Sequence, residues 1–119
     1  MQNQTNKKFD LEGRTTEFAK SVIRLCKQLK RDPINNSLIS QVVRSSGSIG
    51  ANYREANDAL GKKDFIHKIK ISRKESKETI HWLELIKEAN PGLEPETDSL
   101  IGECNELRNI LSAIINKSL

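Results

Sequence analysis

The sequence predicts an all-α protein, an antiparallel up-down-up-down four-helix bundle, and three observations lead there. Apolar residues recur every three or four positions along four long stretches, the period of one face of an α-helix. The three prolines, Pro33, Pro91 and Pro95, all fall between those stretches, where helices must break. No stretch alternates apolar and polar residues as a half-buried strand would. Short connections then make consecutive helices antiparallel neighbours. With 119 residues, 35% apolar and 30% charged, the chain can bury one core beneath highly charged outer faces.

Residues 1–9 are polar and are expected to be a flexible segment, with Phe9 able to dock, ahead of a single domain over 10–119. Helix 1 is expected over about 10–31. Leu11, Phe18, Val22, Leu25 and Leu29 share one face, flanked by Cys26. Asp10 is placed to cap it, Glu12 to face the positive end of its dipole, and Asp32-Pro33 to end it. Helix 2 is expected over about 35–60, capped by Asn35 or Asn36 and stopped by Gly61. Its core stripe is Leu38, Val42, Ser46, Ile49, Tyr53, Ala56 and Leu60. About 100° around lies a second stripe, Gln41, Arg44, Ser45, Ser48, Asn52 and Glu55. Short hydrogen-bonding side chains replace the Lys and Glu of an ordinary solvated face there. Gly47 and Gly50 should each cost about 1 kcal/mol against alanine inside a helix, which close packing against a neighbour would offset.

Helix 3 is expected over about 62–89, with Asp64 in its first turn. Phe65, Ile69, Ser72, Ser76, Thr79, Ile80, Leu83 and Ile86 form its core stripe. Ile71, Glu75, Glu78, Trp82 and Leu85 lie on a second side, which predicts a second packing partner. The remaining side carries a basic ridge, His67, Lys70, Lys74, Lys77 and His81. Asn90-Pro91-Gly92 closes the helix, and helix 4 follows over about 96–116. There Leu100, Cys104, Leu107, Leu111 and Ile114 face inward, widened by Ile101, Ile110 and Ile115.

The net charge of +4 is unevenly spread. Residues 62–78 set Lys62, Lys63, Lys68, Lys70, Arg73, Lys74 and Lys77 against Asp64, Glu75 and Glu78. Residues 93–119 reverse the sign. A basic half attracts nucleic acid or other anions, although a solvated helix surface has the same composition. Cys26 and Cys104 lack metal-ligand spacing, lie on or beside apolar stripes, and fit buried free thiols in a reducing compartment. With no signal peptide and no apolar run long enough to span a bilayer, a cytoplasmic location without membrane partners is expected.

Candidate sites follow from these faces. Arg44, Ser45, Ser48, Asn52, Glu55, Glu75, Glu78 and Trp82 suit a structural polar network or a subunit contact. A catalytic use of the same face, through Arg44, Asn52 and Glu55, is disfavoured because no base partners the serines. His67 and His81 lie about 21 Å apart along a helix and cannot share a metal. No metal, cofactor or catalytic residue is therefore expected. Trp82 and Tyr53 lie within or beside apolar stripes and suit packing anchors. Lys62, Lys63, His67, Lys70, Lys74 and Lys77 are the candidate phosphate contacts. With no helix-turn-helix or zinc-finger signature, any binding should be independent of sequence.

Several motifs carry a family resemblance. They are Asp10-Leu-Glu-Gly-Arg-Thr15 with Phe18-Ala19, then Gln41-x-x-Arg-Ser-Ser-x-Ser-Ile-Gly-Ala-Asn-Tyr-x-Glu-Ala56. Lys62-Lys-Asp-Phe-Ile-His-Lys68 and Lys74-Glu75-x-x-Glu78-Thr79-x-x-Trp82-Leu83-Glu84-Leu85 follow in order. Together, over about Phe9 to Ile115, they resemble the bacterial four-helix-bundle family of intervening-sequence proteins, some encoded within insertions in large-subunit ribosomal RNA genes. Members are mostly of unknown function. The family is related to the accessory variability proteins of diversity-generating retroelements, pentameric barrels that bind nucleic acid and a reverse transcriptase. The resemblance thus implies a homopentamer with RNA or DNA, and a reverse transcriptase or other protein, as partners. Many relatives have leucine where this chain has Arg73, which adds charge to helix 3. The expectation is a non-enzymatic, nucleic-acid-associated accessory or assembly factor. The alternative is a protein-binding scaffold, and an enzyme ranks last.

Overall fold

Two aspartates start the first two helices. The computed structural model describes residues 10–119; the expectations for residues 1–9 and for Phe9 lie outside them. The helices are α1 (Leu11–Cys26), α2 (Pro33–Asn57), α3 (Lys62–Ala89) and α4 (Glu94–Ser118). Asp10 Oδ1 accepts the Gly13 N–H at 3.0 Å, capping α1 as expected. The α1 end differs from expectation, coming at Cys26 rather than near Arg31. The Gln28 and Leu29 N–H groups turn to the Leu25 and Cys26 carbonyls, three residues back, which tightens the last turn and keeps Leu29 in the core.

The cap of α2 is neither Asn35 nor Asn36. Asp32 Oδ1 accepts the Asn35 N–H at 2.8 Å, and Pro33 occupies the first turn, where a missing N–H costs nothing. The far end of α2 also comes early. Asp58 and Ala59 donate to carbonyls three residues back, and Leu60 falls in the turn, 100% exposed, not in the core stripe. Gly61 does not stop α2; it is the N-cap of α3, its carbonyl accepting the Phe65 N–H. Helix α4 begins two residues sooner than expected, with Pro95 in its first turn. The preceding turn holds Gly92 at φ 101°, a left-handed conformation that needs glycine.

Cross-helix bonds set the direction of each helix. From Glu55–Lys68 through Ile49–Ser72 and Arg44–Glu78 to Asn35–Asn90, numbers fall on α2 as they rise on α3. Arg54 on Glu12 and Gly50 on Thr15 give the same sense to α1 and α2. Cys104 Sγ on the Ser76 carbonyl and Lys87 on Asp98 do so for α3 and α4. Arg14 on Glu103 then joins α1 to α4. The up-down-up-down bundle is therefore as expected. Its flattened body measures 44 × 33 × 19 Å.

The predicted stripes form the core. Val22, Val42, Ile49, Ile69, Leu83 and Ile86 are fully enclosed, each contributing about 1.5–3 kcal/mol by burial. On α4 it is Ile115 rather than Ile114 that is fully buried, with Ile114 half-buried beside it. Ser45, Ser46, Ser72, Ser76 and Thr79 are buried too. These short side chains let α2 and α3 approach closely, and their hydroxyls are satisfied by neighbouring carbonyls. Ser72 donates to the Ile49 carbonyl across the interface at 2.7 Å, and Ser76 to the Arg73 carbonyl at 2.6 Å.

Candidate functional site

The antiparallel register of α2 and α3 assembles most of the predicted polar network along one seam. Arg44 donates to Glu78 at 2.9 Å and to Glu75 at 3.3 Å. The Glu78 hydrogen bond, with Glu75 close by, holds the Arg44 guanidinium above its ordinary range. Glu75 is the more enclosed carboxylate, its side chain only 13% exposed. Beneath this clamp Thr79 Oγ1 lies 2.8 Å from both Ser45 Oγ and the Glu75 carbonyl oxygen. Ser48 donates to the Arg44 carbonyl and Asn52 to the Ser48 carbonyl, so both serve their own helix.

Glu55 is further along, taken by Lys68 at 2.9 Å. Arg44, Asn52 and Glu55 therefore do not converge. Each is engaged by a different partner, Arg44 by Glu75 and Glu78, Asn52 by the Ser48 carbonyl and Glu55 by Lys68. Trp82 is half-buried at the edge of the seam. Its indole N–H is buried with no hydrogen-bond partner among the described residues.

The glycines separate. A Cβ on Gly50 would stand 2.7 Å from Thr15 Oγ1 and 3.1 Å from Thr15 Cβ, so glycine lets α1 lie directly on α2. Gly47 has nothing within 4 Å of that position and is exposed. The expected close packing at Gly47 is therefore absent within the single chain, because this side of α2 points outward.

Two polar clusters escaped the sequence reading. Asn35 and Asn90 form a buried reciprocal amide pair, at 3.0 and 2.9 Å, which ties the start of α2 to the end of α3. Asn35 also donates to the Lys30 carbonyl and Asn90 to the Ile86 carbonyl. On the opposite side Arg14 grips Glu103 through two nitrogens at 2.8 and 2.9 Å and reaches Glu106 at 2.8 Å. The Glu103 hydrogen bonds raise its pKa, and burial opposes them. The only sequence signal was an arginine beside a core position facing a helix with an acidic surface.

The basic ridge is laid out as predicted. Lys62, Lys63, His67, Lys70, Lys74, Lys77 and His81 are all exposed on the outer side of α3. Lys68 is paired with Glu55 and Lys87 with Asp98, whereas Lys20, Lys27, Lys30 and Lys117 elsewhere on the bundle are, like the ridge, in no ion pair among the described residues. No ion pair among the described residues involves Lys62, Lys63, Lys70, Lys74 or Lys77. From Lys63 to Lys77 the free ammonium groups rise along about 21 Å of helix. An open hollow of about 590 Å³, lined by Lys63, Asp64, Ile66, His67 and Lys70, lies at the start of the ridge. A ridge of exposed, unpaired cations can attract an anionic polymer through its phosphates.

Cys26 and Cys104 are buried free thiols. Burial pushes them up to about 11 and about 12, so neither is a nucleophile near neutral pH. Among the described residues no three His, Cys, Asp or Glu side chains are grouped to hold a metal. No helix among them is long and apolar enough to cross a membrane.

A four-helix bundle with a polar seam between α2 and α3 and a cationic ridge on the outer side of α3 defines a small all-helical protein. The chain belongs to the family described as 23S rRNA-intervening sequence protein, which matches residues 7–113. Among solved structures it is similar to a protein of unknown function from the S23 ribosomal protein family of Bacteroides thetaiotaomicron VPI-5482. That protein is 33% identical, the match covers 87% of this chain and 96% of the other, and the TM-score is 0.78. No curated protein matches the chain. The family resemblance carried by the motifs of α1 to α3 is thus borne out.

Proposed function

We propose that this protein is a non-enzymatic homo-oligomer, a pentamer, that associates with RNA or DNA independently of sequence. The observation that carries this reading is the clustering of Lys63, Lys70, Lys74 and Lys77 along one exposed side of α3, with no ion pair to any of them among the described residues. One ridge is a weak electrostatic site. Repeated by rotational symmetry it becomes a ring of positive charge, and several weak contacts then act together. The buried free thiols support a reducing, cytoplasmic setting. The family resemblance adds a reverse transcriptase or another protein as a further partner.

Salt dependence is the direct test. If about four lysines each neutralise a phosphate on a single strand, log K should fall against log salt with a slope of about −3. Changing Lys70, Lys74 and Lys77 together to Glu should abolish binding while leaving the helical signal intact, since all three are exposed. Absence of any affinity for RNA or DNA at low salt would defeat the reading. A protein-binding scaffold is the second reading, favoured by the exposed apolar side chains Ile23 and Val43, 43% and 37% accessible. Under it the lysine variant would keep all its partners.

A further inference from the structure

The ridge does not simply fade along α3; it ends on an aromatic pair. His81 follows Lys77 at the next helical position on the same exposed sector. Its ring packs edge-to-face against Trp82, with centroids 4.9 Å apart and planes at 62°. Trp82 is half-buried and anchored, while His81 is exposed, so the indole braces an imidazole at the surface. Beyond it the charge reverses, with Glu84 and Glu88 exposed on the following turns. An anionic strand drawn along the lysines is therefore stopped at His81.

We infer that His81, braced by Trp82, is a stacking platform for an unpaired base, and that the nucleic acid held on α3 is single-stranded. The inference rests on the nucleic-acid reading above. In a duplex the bases are already stacked on one another and offer the ridge only phosphates. A single strand offers both, the phosphates to the lysines and a base face to the ring that ends them. The path from Lys63 to His81 is about 27 Å long at 1.5 Å per residue. At the 3.4 Å per nucleotide of a fully stacked strand it accommodates at most about eight nucleotides, and fewer of an extended one.

Trp82 is the only tryptophan of the chain, so its emission reports on this position. The test titrates the full chain with a fifteen-nucleotide oligo-dT, an oligo-U of the same length and a duplex of the same length at low salt. Both single strands are expected to change the Trp82 emission on binding and to bind more tightly than the duplex. His81→Ala should weaken single-strand binding about five-fold and leave duplex binding unchanged. His81→Phe should restore the affinity, whereas His81→Lys should not, although it adds a charge. All three changes are at an exposed helix position, and far-ultraviolet circular dichroism confirms the fold.

If His81→Ala binds single strands as tightly as the parent, or the duplex binds as well as they do, the stacking inference is overturned. In that case loss of binding by the Lys70, Lys74 and Lys77 variant would leave the broader reading standing. No binding of any probe would remove both.

Discussion

Gly50 is required by geometry and Gly47 is not, although the sequence presents them as equals. A methyl at Gly50 would meet the buried side chain of Thr15, whose hydroxyl is already committed to the Leu11 carbonyl at 2.7 Å. Gly50→Ala should therefore lower stability by about 1–3 kcal/mol despite the better helix propensity of alanine, and urea unfolding followed by circular dichroism would measure it. A gain in stability would mean that Thr15 yields without cost. The two thiols give a second residue-scale prediction. Their folded pKa values lie above the usual 9, so the unfolded chain loses its thiol protons first as pH rises. Stability is full below about pH 9 and falls as pH climbs toward 11 and 12. Cys26 and Cys104 should stay silent to a thiol reagent at pH 8 until the chain is unfolded. Fast labelling of the native protein would contradict their burial. Which glycine touches another helix was not legible, because one and the same stretch faces α1 at Gly50 and solvent at Gly47.

At the scale of elements, the stripes of α2 and α3 were legible because a helix repeats its faces at fixed spacing. That spacing placed Arg44, Glu75 and Glu78 on facing sides before any contact was known. The helix ends were not legible in the same way. Asp32, Asn35 and Asn36 can all cap a helix, and the choice of Asp32 depends on what else Asn35 does. Asn35 is drawn into the amide pair with Asn90, fifty-five positions away, which no local pattern encodes. Likewise, Leu60 fits the apolar period of α2 but lies past the residue where the helix stops. The pair predicts its own importance. Asn90→Ala removes one partner and leaves the buried Asn35 amide short of a hydrogen bond, a change that should cost about 1–3 kcal/mol. Thermal unfolding would show it as a lower midpoint, with faster amide exchange at the start of α2 and the end of α3. An unchanged midpoint would mean that water replaces the lost bonds.

At the scale of the molecule, the outer side of α2 holds a cost that the single bundle does not recover. Gly47 weakens the helix by about 1 kcal/mol, yet nothing within 4 Å uses the space it leaves. Val43 is exposed on the same side, and the antiparallel register brings the exposed Ile23 of α1 level with it. A second apolar exposure, Leu85 beside the half-buried Trp82, lies on the α3 side of the bundle. Two unlike patches on one body suit a head-to-tail contact between copies, which closes into a ring when the rotation permits. The oligomeric reading can therefore be tested without disturbing the fold. Gly47→Glu places a charged side chain in open space and improves helix propensity, so the protomer should keep its circular dichroism and its unfolding midpoint. If the parent is the proposed pentamer of the 13.5 kDa chain, sedimentation of the variant should give a single copy at micromolar concentration. A parent protein that sediments as a monomer would refute the ring. A Gly47→Glu variant that assembles like the parent would move the contact away from this face of α2.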